Sequence, residues 1–169
     1  VDVRLTSSDT RVSFSHDGNP FSFRDAFNLI SPDSNKLDDE IHKDNIGKFG
    51  TGLVSTHILS SVLEIEGVCI DSDTDATYRF GVSLDRSCFT NKQALIEQIT
   101  TANEELKRSL IPHKVECGFN TSFSYTLGSP LPTVPAVQSS DIALNYLYEA
   151  LPYTLCFMPK VQPVVIEDA

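Results

Sequence analysis

Residues 46–60 read IGKFGTGLVSTHILS. Three glycines, Gly47, Gly50 and Gly52, stand among Lys48, Phe49 and the hydroxyl of Thr51, and an apolar run suited to a helix follows from about Leu53 to Ser60. Phosphate oxygens need several backbone N–H donors close together. Glycines let the backbone approach with no Cβ in the way, and the start of a helix adds its positive end. The stretch therefore has the anatomy of a phosphate cradle. A Walker loop is excluded, because no G-K-[ST] triplet occurs in the chain. A dinucleotide-binding fingerprint is absent too. The competing reading is a glycine-rich helix entry that serves packing alone.

Upstream of the cradle, residues 31–45 are polar and acidic and contain Pro32. A stretch of that length without a periodic pattern predicts a loop, and its place before the glycines suits a lid. Ser22 is suited to cap a short helix over 23–30, with Phe23, Ala26, Phe27 and Ile30 on one face. Before it lies HDGNPF (16–21), a strong turn signal. Val1, Val3 and Leu5, then Val12 and Phe14, alternate with polar residues around Ser7-Ser8-Asp9, the pattern of a β-hairpin.

Downstream, residues 62–70 and 77–84 read as strands joined by the turn DSDTD (71–75). Leu95, Ile96, Ile99, Ala102, Leu106 and Leu110 recur at helical spacing over 91–110. Phe119, Thr121, Phe123, Tyr125 and Leu127 alternate as a strand. A proline-rich loop over 128–137 leads to a helix over 140–150, and 153–158 and 161–166 read as closing strands. Helices set against a largely antiparallel sheet predict an α+β, two-layer sandwich with a mixed sheet.

The chain has 169 residues, 40% hydrophobic and 21% charged, which predicts one domain over 1–169 with a full core. Its formal charge is −10, the wrong sign for tracking phosphate backbones or anionic membranes. No apolar run approaches the roughly 20 residues of a spanning helix. Four scattered cysteines, Cys69, Cys88, Cys117 and Cys156, include no CxxC pair and read as reduced thiols of a cytoplasmic or nuclear protein. Opening in strand-like sequence without Met, the chain is expected to be a piece of something longer.

The order strand, HDGNPF, short helix, polar lid, GKFGTG, helix, strands and NTSFSYTL (120–127) resembles the nucleotide-binding domain of the GHKL superfamily. That superfamily includes DNA gyrase, the ninety-kilodalton heat-shock chaperone, histidine kinases and mismatch-repair ATPases. HDGNPF, GKFGTG and LPYTLCFMPK (151–160) are most similar to the chaperone- and sacsin-related ATP-binding proteins. The resemblance covers nearly the whole chain and implies a Bergerat-type fold with ATP and Mg²⁺ as ligands. Gly47, Gly50 and Gly52 match the box that closes over the phosphates, and Lys48 and Thr51 beside them are candidates to reach the phosphates. Thr121 falls in the seat that supports the adenine. His16, Asp17 and Gly18 match the box beneath the base, and Phe21 and Phe49 are candidates to wall it. Phe21 and Phe49 also suit the core, and Lys48 also suits a solvated surface. The partners implied are the nucleotide and other domains of the same larger protein.

Two departures bear on function. Anchored on Gly18, the box has His16 where the family's adenine-reading Asp stands, and Asp17 one place later. A neutral imidazole nitrogen or the shifted carboxylate could each accept from the adenine amino group. Pro20 also replaces the last glycine of that box. The second departure is the family's helical box, which supplies a general-base Glu and a Mg²⁺-holding Asn and precedes the first strand. Nothing in this chain matches it, so no catalytic residue is assigned here, and hydrolysis would need a helix upstream in the intact protein. The alternative is a nucleotide-free interaction module that retains the fold.

Other motifs fail. Residues 71–82 imitate a calcium loop, but Ala76 stands where the sharp turn wants Gly and Val82 where the loop wants Glu. His113 and Cys117 have half the spacing of a zinc site without a second pair, so no metal site is assigned.

Overall fold

The computed structural model describes residues 1–8, 10–31, 57, 59–88, 90–114, 118–127, 136–157, 160–161 and 163–168. The elements among them are β1 (Val3–Ser7), β2 (Arg11–His16), β3 (Phe21–Ser22), α1 (Phe23–Asn28), β4 (Val62–Ile70), β5 (Thr77–Asp85), α2 (Lys92–Ser109), β6 (Ile111–Pro112), β7 (Thr121–Thr126), α3 (Ala136–Phe157) and β8 (Val164–Asp168).

Strand alternation works as the sequence predicts. Val3, Leu5 and Val12 point to one face and are buried, and the hairpin closes through the Ser8 N–H donating to the Arg11 carbonyl at 2.8 Å. The eight strands among the described residues form one mixed sheet in the order β6-β5-β4-β7-β2-β1-β8, with β3 beside β4. Pairing is antiparallel except for β1 with β8 and β3 with β4.

Because β5 pairs with β4 along its whole length, β3 and β7 share the opposite edge of β4. Strand β7 occupies that edge as far as Gly67, and β3 takes Cys69 and Ile70. Residues 17–20 therefore step from the end of β2 across the start of β7 to reach β4. This crossing positions everything that follows.

One face of the sheet carries α1 and α2. Ala26 and Ile30 at α1, and Ala102 and Leu106 of α2, pack with Leu63, Ile65, Cys69, Phe80, Val82, Leu84 and Tyr125. Burial pushes the Cys69 thiol up to about 11, so it stays protonated and unreactive. The other face is polar: Ser13 and Ser15 meet Ser124 and Ser122 at 3.0 and 3.1 Å, and Arg11 pairs with Glu64 at 2.6 Å. The α+β two-layer architecture is as expected. Among the described residues no helix is long and apolar enough to cross a membrane.

The helix starts at Phe23 and Lys92 are capped. Ser22 Oγ accepts from the Asp25 N–H at 3.1 Å while Asp25 reaches back to Ser22, and Asn91 Oδ1 accepts from the N–H groups of Gln93 and Ala94.

The expected strand over 153–158 is corrected. Helix α3 runs on through Pro152 to Phe157, and the Cys156 thiol donates to the Pro152 carbonyl at 3.3 Å. The strand-like run Tyr153-Thr154-Leu155-Cys156-Phe157 carries only a weak intrinsic preference, and the surrounding helix overrides it. The last strand lies at 164–168 rather than 161–166, in parallel register with β1. The helix expected over 53–60 falls mainly outside the described residues, and His57 and Leu59 within it are in turns.

Candidate functional site

The site is built at the end of β2. His16 lies directly opposite Thr121 in the β2–β7 pair, on the core-facing side that also carries Phe14 and Phe123. Its imidazole completes a triangle with their rings, with centroids 5.8 Å from Phe14 and 6.4 Å from Phe123. Burial among these rings lowers the His16 pKa from its ordinary 6.5, partly opposed by the neighbouring Asp17 carboxylate. The ring is thus neutral at pH 7.

A directed chain of hydrogen bonds then fixes the polarity of every group around it. The Gly18 N–H donates to His16 Nδ1 at 3.1 Å, so Nδ1 carries no proton and Nε2 carries one. Asn120 Nδ2 donates to the Gly18 carbonyl at 2.6 Å, which turns the Asn120 carbonyl oxygen toward Thr121. Thr121 Oγ1 donates to that oxygen at 2.9 Å. The Asn120 N–H also donates to the His16 carbonyl at 3.1 Å, closing the crossing over the start of β7.

Gly18 suits this geometry, because a side chain there would press on the imidazole. A Cβ there would lie 3.0 Å from His16 Nδ1, against the atom its own N–H must reach. Gly67, opposite Thr121 on β4, is tighter still, since its Cβ would stand 2.7 Å from the Phe80 ring. Phe21 meets that same Phe80 ring edge-on at 5.8 Å and packs against the core. Asp17 turns toward β1: its Oδ1 accepts from the Asp2 N–H at 2.6 Å, and its own N–H donates to the Asp2 carbonyl at 3.2 Å.

Of the residues singled out from sequence, His16, Gly18 and Thr121 are brought together, Asp17 is directed to the neighbouring strand, and Phe21 lies toward the core. Gly47, Lys48, Phe49, Gly50, Thr51 and Gly52, with the lid beyond Ser31, lie outside the described residues. Asn120 and Gly67 were not anticipated. Asn120 immediately precedes the predicted strand, where a short amide side chain is a fair linker, but its partners depend on the crossing above it. Among the described residues no group of three or more His, Cys, Asp or Glu side chains could hold a metal ion.

A cavity of about 190 Å³ opens on the opposite, polar side of the sheet, lined in part by Glu66, Arg79, His113, Phe119 and Ser122. It falls below the roughly 300 Å³ from which ligand pockets usually begin; Gly67, Asn120 and Thr121 also line it, while His16 and Gly18 do not.

No protein-family profile matches the chain. No curated protein matches it either. Among solved structures it is similar to the ATPase and transducer domains of DNA topoisomerase II from Balamuthia mandrillaris, with a TM-score of 0.49 and 17% sequence identity. The match covers 80% of this chain, which spans 33% of that one.

Proposed function

We propose that the chain is an ATP-binding domain of the GHKL type, a single unit over 1–169 that serves a larger, chaperone-like ATPase. The observation that carries this reading is the bond between Asn120 and Gly18, across 102 residues of sequence. It brings the HDG turn and Thr121, which the resemblance assigns to the base, into one network. The glycine-rich anatomy of 46–60 supports the phosphate end of the same site.

In this reading His16, Gly18 and Thr121 face the base. The backbone amides of Gly47 to Gly52, with Thr51 and Lys48, take the phosphates. Mg²⁺ bound with the nucleotide would supply neutralisation of charge on its phosphate oxygens. Residues 31–45 are the proposed lid of the site. The neutral ring and the directed hydrogen bonds fit a purine, whose edge offers both acceptors and donors.

Calorimetric titration with ATP and ADP in Mg²⁺ tests the assignment. Gly50→Val and Thr121→Val are each expected to weaken binding at least tenfold while the melting transition stays cooperative. Unchanged affinity in both variants rejects the site.

One observation favours a second reading, the nucleotide-free interaction module. The only carboxylate of the HDG turn is engaged by the Asp2 N–H. Absence of any thermal shift with millimolar ATP and Mg²⁺, in a protein extended upstream to include the helical box, would favour that module.

A further inference from the structure

The cavity on the polar side of the sheet is lined by opposite charges that leave one another unsatisfied. Glu66 of β4 and Arg79 of β5 stand on adjacent strands in diagonal register, since Glu66 faces Gly81 and Arg79 faces Val68. Diagonal neighbours lie roughly 7–8 Å apart, within reach of long side chains. Yet among the described residues neither side chain makes an ion pair or a hydrogen bond, and the same holds for His113. By contrast Glu64, two residues earlier on the same strand, takes Arg11 at 2.6 Å. The frame of the cavity is fixed. The His113 N–H donates to the Thr77 carbonyl at 2.9 Å, and its carbonyl accepts from Thr77 Oγ1, which holds it just past β6. Gly118 has a φ of 135°, which L side chains rarely adopt, and leads into Phe119, whose ring carries the Arg4 guanidinium at 4.8 Å. Nearly buried Val68 lies at the bottom.

Such a lining selects by charge. A free anion drawn to Arg79 meets the Glu66 carboxylate beside it, and a free cation drawn to Glu66 meets the guanidinium. A molecule that carries both charges a short distance apart satisfies both groups through charge-assisted hydrogen bonds. Size narrows the choice further. A volume of about 190 Å³ has room for roughly six waters at ~30 Å³ each, which suits one small molecule and not a nucleotide. We propose that this cavity binds a free α-amino acid with an aliphatic side chain. Its carboxylate lies on Arg79, its ammonium on Glu66, and its side chain against Val68 and Phe119. The His113 ring can donate to the carboxylate. Ser122, opposite Glu66 on β7, accepts from Ser15 Oγ at 3.1 Å and so keeps its own proton for the ligand. The site lies on the other face of the sheet from the His16 imidazole and does not depend on the nucleotide reading.

The test titrates the full chain with L-leucine and follows the amide NMR shifts of Gly118 and Phe119. Saturable shifts at millimolar concentration are expected, because Glu66 and Arg79 are exposed and exposed charge pairs are weak. Isocaproate keeps the carboxylate and side chain of leucine but lacks the ammonium, and isoamylamine keeps the ammonium but lacks the carboxylate. Each should bind about fivefold more weakly or worse. Glu66→Gln and Arg79→Gln should weaken leucine by a similar factor while leaving the affinity for ATP unchanged. The ligand series uses the unmodified protein, so it stands even if a variant fails to fold. No saturable shift with leucine overturns the proposal. So does isocaproate or isoamylamine binding as well as leucine, or leucine affinity unchanged in both folded variants. Failure to bind ATP removes the nucleotide reading and leaves this site in place.

Discussion

Gly67 and Phe80 face each other across β4 and β5, and the aromatic ring lies where a glycine Cβ would be. Phe80 is 2% exposed, so it has no solvent side to yield into. Gly67→Ala is therefore expected to destabilise the fold by about 1–3 kcal/mol, as overpacking of a closed core does, measured by urea denaturation. On the other edge of β4 the pairing with β7 places Gly67 opposite Thr121, so the variant should also weaken nucleotide binding. A half-buried imidazole, His16, and a buried one, His57, make stability depend on pH. Burial lowers the pKa of both His16 and His57 from 6.5, and at His57, whose Nδ1–H donates to the Ser60 carbonyl at 3.2 Å, this outweighs the hydrogen bonds that favour its charged form. The unfolded chain takes up protons first as pH falls, so their contribution is complete above about pH 7 and is lost as pH drops through 6.5 toward the lowered values. Urea midpoints should fall between pH 7 and pH 5, and His57→Gln should flatten that slope. Residue types at these positions were readable in sequence, but their roles were not equally so. His16, Gly18 and Thr121 sit in recognisable patterns. Asn120 and Gly67 take their meaning from register, which places residues far apart in sequence against one another.

Elements with strong local signals form where the sequence puts them. Ser22 and Asp25 satisfy each other's end of α1, and Asn91 accepts two orphan N–H groups of α2. Ser22→Ala should cost about 1 kcal/mol and Asn91→Ala a similar amount, both readable as shifts in thermal midpoint without loss of cooperativity. The effect of Ser22 reaches the site, because α1 follows directly on the crossing that carries Gly18. Two-residue strands such as β3 and β6 have no periodicity to detect, and they exist only because β4 and β5 present free edges. The end of α3 fails for the opposite reason. Pro152 and the strand-like residues after it are both local arguments against a helix, yet the helix persists to Phe157. Its Tyr146 and Tyr153 are 68% and 75% exposed, so no described contact demands that outcome.

At the level of the molecule, the two faces of the sheet divide the work. The helix-bearing face holds the core and the His16 network, and the other carries serine pairs and exposed ion pairs. A ligand bound only by the native state should raise stability with concentration, by about 2.7 kcal/mol at a hundred times its dissociation constant. Thermal scans across a range of ATP and Mg²⁺ concentrations are expected to follow that logarithmic law, and a midpoint that saturates at once or never moves would contradict it. The neighbour relation between the first strand and the last has a different consequence. During synthesis β1 and β2 emerge early, but the outer flank of β1 has no mate until residues 164–168 leave the ribosome. Until then Val3 and Leu5 lie along an unprotected backbone rim, open to pairing with other nascent chains. Completion of the sheet is therefore a late event in the life of each molecule, and a chain stalled before its final strand should be a client for holdase chaperones rather than a folded product.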